Sequence, residues 1–296
     1  MGSLYAGGVK LRNHKIILYL LIGVACFWVF FANNLNCVNQ NLPKEQAVVS
    51  FDPASLDYRC DNLFNVFVQN LVDVNRAVFK SVDTLKILTW VLPVYLFARW
   101  SDDVVHASFY DAALHQNIFQ MPKAFQQFTN TGVTALTVVL SLLPLLPQID
   151  LDLRRTSSLF GEGVVSLAVL RTFFKNSLKA RSSCRPWNQH FSNKQRALGG
   201  FPSGHMAFAG YMTMLFGLRH GPKWGVPLSI FSAFAFFSSI NCNRHYVSQL
   251  VGGLGLGIIY GYGSYQVLNS RYGEHTNFSF DLDSKNRPSF GVSYEF

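Results

Sequence analysis

Charged residues are scarce in this sequence. They make up 14% of its 296 residues, whereas hydrophobic residues make up 49% and phenylalanine alone occupies 27 positions. An average soluble domain carries about a quarter charged residues. The chain is therefore rich in apolar mass and poor in solvating charge, which argues against an ordinary water-soluble domain and favours a protein that contacts lipid.

The scarcity of charge is concentrated in five runs that contain no Asp, Glu, Lys or Arg. Each run has 16 to 18 residues, which is near the lower limit for a helix that crosses a hydrocarbon core of roughly 30 Å. The runs are 16–32, 131–146, 203–218, 224–241 and 250–265. They predict membrane-spanning helices; the alternative is a water-soluble all-α protein with very apolar core helices behind an N-terminal signal segment.

Acidic residues and cysteines are also few. The chain has 16 acidic and 25 basic residues, hence a formal net charge of +9, which suits nucleic acid, an anionic membrane surface or an anionic substrate. No basic stripe alternates with aromatic residues, so we expect no nucleic-acid partner. The five cysteines show no metal-binding spacing, so we predict no metal and no cofactor. A disulfide between Cys37 and Cys60 stays open as an alternative.

Six membrane spans are predicted. Three basic residues precede the first run, and no clear cleavage site follows it, so we interpret 16–32 as an uncleaved anchor. The helical pattern at 161–178 carries Glu162 and Arg171, which lie nine residues apart, cannot pair directly and are expected to face the protein interior. The spans are 16–32, 131–146, 161–178, 203–218, 224–241 and 248–267. The piece 85–98 is predicted to be interfacial or buried, because it is too short for an untilted span.

The predicted fold class is all-α, a multi-helix bundle with a small C-terminal β-hairpin. The hairpin is predicted because the tail alternates apolar and polar residues around a Lys-Asn-Arg-Pro turn. The predicted units are an anchor at 1–36, an extracytoplasmic helical insertion at 37–130, a helical bundle at 131–267 and the tail at 268–296. Basic loops place the N-terminus and the loops around 154 and 220 in the cytoplasm.

Three short polar stretches fall at the same ends of successive helices. LKARSSCRP follows the 161–178 helix, PSGH opens the next helix and RHYVSQ opens the last one. Antiparallel packing should bring them together. The side chains and glycine gathered in this way are Lys179, Arg181, Arg185, Ser203, Gly204, His205, Arg244 and His245. Fixed cations beside a glycine-opened helix N-terminus form an anion site, and two imidazoles add a nucleophile and a proton donor near neutral pH. Phosphate is the natural ligand.

These motifs resemble the type 2 phosphatidic acid phosphatase family, a superfamily that also includes acid phosphatases and vanadium haloperoxidases. The resemblance covers roughly residues 131–267. It implies an all-α bundle and metal-independent dephosphorylation of a lipid phosphomonoester or diphosphate through a phosphohistidine. By this resemblance His245 is the nucleophile and His205 the acid that protonates the leaving oxygen. Lys179, Arg185, Ser203 and Gly204 would hold the phosphoryl oxygens, with Arg181 as a substitute for the lysine.

The sequence departs from the family pattern in three places. Five residues rather than six separate Lys179 from Arg185. The third motif has Ser239 where the family has arginine, and an arginine stands at 244 instead. The acidic residue expected four positions after the nucleophilic histidine is Gln249, which can orient an imidazole without supplying charge. The glucose-6-phosphatase branch resembles this sequence in having glutamine there.

Three functions remain open at this point. The first is an active membrane phosphatase of phosphorylated lipids, placed in a bacterial inner membrane with its site on the extracytoplasmic face. The second is a catalytically impaired family member that binds phosphorylated lipid or a protein partner, because of the changes at 239 and 249. The third is a non-enzymatic membrane scaffold. The remaining histidines, His106 among them, are interpreted as solvated or structural.

Overall fold

The structure, a computed structural model, describes residues 63–111, 116–119, 121–146, 148–177, 200–273, 276–282 and 288–294. Over these residues the chain is an all-α bundle of seven helices with two short antiparallel strand pairs, so the predicted all-α class is confirmed. The helices are α1 (Leu63–Lys80), α2 (Val82–Phe109), α3 (Lys123–Leu142), α4 (Leu151–Ser177), α5 (Gly204–His220), α6 (Pro222–Asn241) and α7 (Val247–Tyr272). The predicted anchor at 16–32 lies outside the described residues.

Helices α5 and α7 form the centre of the bundle, and most of their side chains are buried. They approach closely because glycines on α7 leave room for the backbone of α5. A Cβ added at Gly257 would lie 2.1 Å from the Ala207 carbonyl oxygen, and one at Gly253 would lie 2.4 Å from that of Ser203. The glycine face at 253, 257 and 261 thus serves the close helix approach that its four-residue spacing predicts.

The other five helices pack against this central pair and expose apolar side chains on the outside. Trp100 on α2 is 81% exposed, Phe128 on α3 is 63% exposed and Ile230 on α6 is 53% exposed. Many large apolar side chains exposed in this way are typical of a protein that contacts a partner or lipid.

Three helices are long and apolar enough to cross a membrane: Ala124–Leu145, Leu151–Phe174 and Pro222–Asn241. A fourth span results if the bent pair Phe67–Lys80 and Val82–Phe109 counts as one. The predicted spans 131–146, 161–178 and 224–241 overlap these candidates.

The predicted spans 203–218 and 248–267 form α5 and α7, which are not among the candidates in the described part of the chain. The described residues thus support three or four candidate spans, and the expectation of six stays a prediction. α5 has only 17 residues, and α7 has glycines and tyrosines where a lipid-facing helix would have leucines. Both helices are enclosed by others, so their own residues need not be strongly apolar.

The apolar piece 85–98 belongs to a much longer helix than its sequence predicts. α2 runs for 28 residues, with Pro93 inside it. At about 1.5 Å per residue this length reaches roughly 42 Å. The helix continues past the apolar piece because Asp102 on its last turns is buried and accepts hydrogen bonds from α7. The piece is therefore part of a long helix rather than a short one, and its interfacial or buried position stays a prediction.

An arginine at the end of α5 joins three helices at the side of the bundle opposite to the PSGH turn. Arg219 is 2% exposed and donates from Nε to both carboxylate oxygens of Asp152, at 3.0 and 3.1 Å. Its Nη1 donates to Asn269 Oδ1 at 3.1 Å and to the Gly273 carbonyl at 2.7 Å. The ends of α4, α5 and α7 are thereby fixed to each other.

Two strand pairs complete the described structure. β1 (Tyr110–Asp111) and β2 (Gln116–Asn117) pair antiparallel over two residues each. In the C-terminal unit, β3 (Thr276–Leu282) and β4 (Pro288–Tyr294) form an antiparallel hairpin in which Phe280 lies opposite Phe290. The alternation of the tail predicts this pairing.

Candidate active site

Two of the three polar stretches meet where α5 and α7 begin. The Ser203 amide donates to the Gln249 carbonyl at 3.1 Å, and the backbone of Ser203 lies against Gly253. The PSGH turn and the RHYVSQ stretch therefore share one place, as the antiparallel arrangement predicts. The third stretch, with Lys179, Arg181 and Arg185, lies outside the described residues.

Gln249 determines which nitrogen of His245 carries a proton. Its Oε1 lies 3.1 Å from His245 Nδ1 and 3.3 Å from the Tyr246 amide. A backbone amide can only donate, so the atom that faces both nitrogens is the oxygen. His245 Nδ1 therefore carries the hydrogen and donates it to Gln249, which leaves a lone pair on Nε2.

The Nε2 atom of His245 faces Ser203. The Ser203 hydroxyl oxygen lies 3.5 Å from it, and Ser203 is fully buried. Ser203 is the N-cap residue of α5, yet its side chain makes no capping hydrogen bond. The hydroxyl and the first amides of α5 are thus directed toward the same small volume beside His245, where the helix dipole favours an anion.

His205 lies in the first turn of α5, two residues after Ser203, and is half-buried. Its Nε2 lies 3.4 Å from the Thr134 hydroxyl on α3. The structure therefore places both predicted histidines at the same end of the bundle, one on the first turn of α5 and one just before α7.

Arg171 on α4 also reaches this end, which sequence reasoning missed. A Cβ added at Gly204 would lie 2.7 Å from the Arg171 Cζ and Nε atoms. The guanidinium therefore occupies the space beside the first residue of α5. The signal that could have found it is the arginine itself in an apolar helical pattern, where a charge is expected to face the protein interior.

The turn before α7 is held by α2, a contribution that no motif indicates. Asn243 has a left-handed backbone with a φ of 56°, and its Oδ1 lies 2.5 Å from His106 Nε2. One turn earlier on α2, Asp102 accepts from the Ser248 amide at 2.9 Å and the Ser248 hydroxyl at 2.6 Å. The interpretation of His106 as structural agrees with this contact, but its partner is 137 residues away in sequence.

The chain matches a known family over its last four helices. Residues 161–272, from within α4 to the end of α7, match the sequence profile of the PAP2 superfamily. This part of the chain belongs to the PAP2 superfamily. The match starts later than the 131–267 expected from the motifs, so α1, α2 and α3 lie outside it. The part of the chain that the structure describes also contains helices long and apolar enough to cross a membrane.

One solved structure is reported for comparison. A transmembrane PAP2-type phosphatidylglycerolphosphate phosphatase from Bacillus subtilis shares 13% sequence identity with this chain. The alignment covers 62% of this chain and 94% of that one, with a TM-score of 0.45. No curated protein sequence matches the chain.

The structure shows what the departures from the PAP2 pattern do locally. The hydroxyl of Ser239, at the expected arginine position, donates to the Ala235 carbonyl at 2.7 Å within its own helix. The Arg244 amide donates to the Ser239 carbonyl at 3.1 Å, and its side chain is half-buried. The serine hydroxyl is therefore hydrogen-bonded within helix α6, and this short neutral side chain cannot replace an arginine.

Cys242 is the other nucleophilic side chain near His245. Burial raises the pKa of its thiol, and the sulfur lies 3.9 Å from the Ser238 hydroxyl. A thiol held in its protonated form is a poor nucleophile. No three histidine, cysteine or acidic side chains in the described part of the chain are grouped as metal ligands.

Proposed function

We propose that this chain is a metal-independent phosphatase that hydrolyses phosphomonoester or diphosphate groups of lipids through a phosphohistidine on His245. The single observation that carries the proposal is the contact of Gln249 Oε1 with His245 Nδ1, because it leaves the Nε2 lone pair facing Ser203 and the N-terminus of α5. An oriented imidazole, which can act as the nucleophile, and a helix N-terminus, which favours an anion, are the two features that support the proposal.

The first chemical step is attack by His245 Nε2 on phosphorus. A P–N bond forms, the bond from phosphorus to the leaving oxygen breaks, and His205 gives that oxygen a proton. The imidazole of His245 becomes cationic as the P–N bond forms. Gln249 keeps its orientation through the Nδ1–H bond but adds no negative charge, so we expect slower chemistry than a carboxylate at this position would give.

The second step returns the enzyme to its starting state. Water attacks phosphorus, neutral His205 accepts a proton from that water, and the P–N bond breaks to release inorganic phosphate. His245 recovers its Nε2 lone pair and its Nδ1–H bond to Gln249. The same imidazole at 205 therefore serves as acid and then as base, and no other proton carrier is required.

Charge on the phosphoryl oxygens is expected to be held by donors from both motifs. The Ser203 hydroxyl and the amide of Gly204 lie at the helix end beside His245. Arg244 precedes His245 directly, and the proposal assigns Lys179, Arg181 and Arg185 to the same task. Fixed donors aimed at developing charge are a large source of rate enhancement in phosphoryl transfer.

A phosphorylated lipid is the proposed substrate class, because the bundle that carries the site exposes apolar helix surfaces. Basic residues collect at the end of the bundle where Arg219 lies, and the site lies at the opposite end. By the positive-inside rule the site then faces away from the cytoplasm. We propose a multi-pass protein of a bacterial inner membrane with an extracytoplasmic site.

Phosphate release from phosphatidate and from an isoprenyl diphosphate, measured in detergent with EDTA present, tests this function. We expect release by the wild-type protein and at least a thousandfold loss in His245→Ala and in His205→Ala. Equal rates in all three proteins would refute the mechanism.

The second candidate function is a binding protein without turnover. It is favoured because Gln249 is neutral and because the Ser239 hydroxyl is hydrogen-bonded within its own helix. It predicts that orthovanadate raises the melting temperature while no phosphate is released from any substrate in the panel. Gln249→Asp should then leave activity at zero, whereas an active enzyme would respond to the added charge.

A further inference from the structure

Arg171 reaches the site from a helix that supplies none of the three motifs. A Cβ on Gly204 would lie 2.7 Å from its Cζ and Nε atoms and 2.9 Å from Nη1. Three guanidinium atoms therefore face the first residue of α5. Gly204 follows Ser203, whose hydroxyl lies 3.5 Å from His245 Nε2, so the guanidinium borders the volume that the nucleophile faces.

In the part of the chain that the structure describes, Arg171 forms no salt bridge. Its Nε is buried and has no hydrogen-bond partner among the residues that the structure describes. Glu162, nine residues earlier on the same helix, receives hydrogen bonds from Asn70 and Ser158 instead. The stretch 178–199, which follows α4 in the sequence, contains no Asp or Glu.

The position of Arg171 beside the N-terminus of α5 is unfavourable for the protein without a bound ligand. A buried guanidinium nitrogen without a hydrogen-bond partner lowers stability. The N-terminus of α5 carries a partial positive charge, so the two groups repel each other. An oxyanion between them would reverse both effects, since guanidinium pairs strongly with phosphate oxygens and helix amides point at the same ligand.

We propose that Arg171 binds the phosphoryl oxygens of the substrate and supplies the positive charge that Ser239 does not. The inference rests on the proposed phosphatase function and adds a ligand to its site from outside the three motifs. During transfer to His245 Nε2, charge spreads over the equatorial oxygens of the phosphoryl group. Arg171 lies where it can neutralise part of that charge next to the amide of Gly204.

The test uses the full-length protein in detergent with two readouts, kcat/KM for phosphate release and the rise in melting temperature caused by orthovanadate. We expect Arg171→Gln to lower kcat/KM by about a hundredfold or more and to abolish most of the vanadate effect. Arg171→Lys should restore part of both. Without vanadate, Arg171→Gln should melt at the same temperature as wild type or higher, because a positive charge beside the N-terminus of α5 has been removed.

Arg155→Gln is the matched control. Arg155 lies on the same helix, but its guanidinium stacks over the Tyr272 ring at 4.1 Å from the centroid, at the far end of α7. This variant is expected to keep kcat/KM within about threefold of wild type and to keep the vanadate effect, whatever its melting temperature.

A second variant tests the placement of the guanidinium without removing it. In Gly204→Ala the new methyl group would overlap Arg171 and push its side chain away, so we expect at least a tenfold loss in kcat/KM. In a protein that already carries Arg171→Gln, Gly204→Ala should lower kcat/KM by less than about threefold. Such non-additivity is expected only if both changes act on one interaction.

Two results would overturn the inference. One is an Arg171→Gln protein with wild-type kcat/KM and vanadate effect. The other is an Arg171→Gln protein that melts earlier without vanadate but keeps full activity per folded molecule, which would show a structural role. In either case the proposed function stands if His245→Ala is inactive. Conversely, activity in His245→Ala refutes the function, while the vanadate effect still reports whether Arg171 binds the anion.

Discussion

A single methyl group at Gly253 should disable the site while leaving the fold in place. An added Cβ would lie 2.4 Å from the Ser203 carbonyl oxygen, 3.1 Å from its amide nitrogen and 3.2 Å from its carbonyl carbon, whereas ordinary contact begins at 3.4 Å. The Ser203 backbone must therefore move by about 1 Å. Ser203 faces His245 Nε2 and is the N-cap residue of α5. The movement would therefore misalign the hydrogen-bond donors at the start of α5 with the His245 nucleophile.

A misplacement of about 1 Å in a reacting constellation can lower the rate roughly a hundredfold. We expect Gly253→Ala to lower kcat for phosphate release by about that factor. Overpacking costs about 1–3 kcal/mol, and the better helix propensity of alanine returns up to about 1 kcal/mol. The free energy of unfolding should therefore fall by no more than about 2 kcal/mol, which denaturant titration in detergent can measure.

Gly261→Ala provides the comparison on the same face of the same helix. Its Cβ would lie 2.5 Å from Met214 Cβ, a similar overlap two turns farther from the site. We expect a similar loss of stability with kcat within about threefold of wild type. The reasoning is refuted if both variants lose activity equally, or if Gly253→Ala keeps full kcat.

Three further predictions concern the hydrogen bonds around the site and at the far end of the bundle. Gln249→Leu removes the acceptor that orients His245; kcat should fall roughly a thousandfold, and the two buried donors left unpaired should lower the unfolding free energy by about 2–4 kcal/mol. Asp102→Asn weakens the hydrogen bonds to Ser248, so the unfolding free energy should fall by about 1–2 kcal/mol and kcat should also fall. An unchanged kcat would show that α2 does not position the site. Arg219→Met should lower the unfolding free energy by about 3 kcal/mol, while kcat per folded molecule stays unchanged because the residue lies far from the site; a selective loss of kcat would contradict this.

The sequence contains enough local information to predict the two helix openings that form the site. The PSGH turn precedes an uncharged run, and the RHYVSQ stretch precedes glycines four residues apart. Both patterns follow from chemistry within a few residues: an N-cap, a helix dipole and a smooth packing face. They meet through the Ser203 amide and the Gln249 carbonyl at 3.1 Å, as expected when successive helices run in opposite directions and α5 and α7 begin at the same end.

The contributions of α2 and α4 could not be predicted in the same way. His106 and Asp102 act on a turn that lies more than 130 residues later, and their contacts depend on how α2 crosses the start of α7. Arg171 was predicted to face the interior, but its position beside Gly204 depends on the depth at which α5 begins. Such contacts follow from helix packing rather than from local pattern.

The described residues contain three or four candidate membrane spans, whereas the sequence predicts six for the chain. Helix packing accounts for part of this difference too. The predicted spans 131–146, 161–178 and 224–241 overlap helices that are long and apolar enough to cross a membrane. A central helix is shielded by its neighbours and is free to carry glycine, serine and tyrosine, as α7 does. Conversely, α2 carries charges beyond its apolar piece because one of them, Asp102, is buried against α7.

Direct detection of the covalent intermediate tests the central claim, that His245 Nε2 is the nucleophile. Wild-type protein mixed with a phosphorylated lipid and quenched in alkali, which preserves a phosphorus–nitrogen bond, should yield a peptide containing His245 that is heavier by one phosphoryl group. The His205→Ala protein should give the same modified peptide more slowly. Phosphate release by the wild type with the phosphoryl group on another residue, or with none on the protein, would contradict the account.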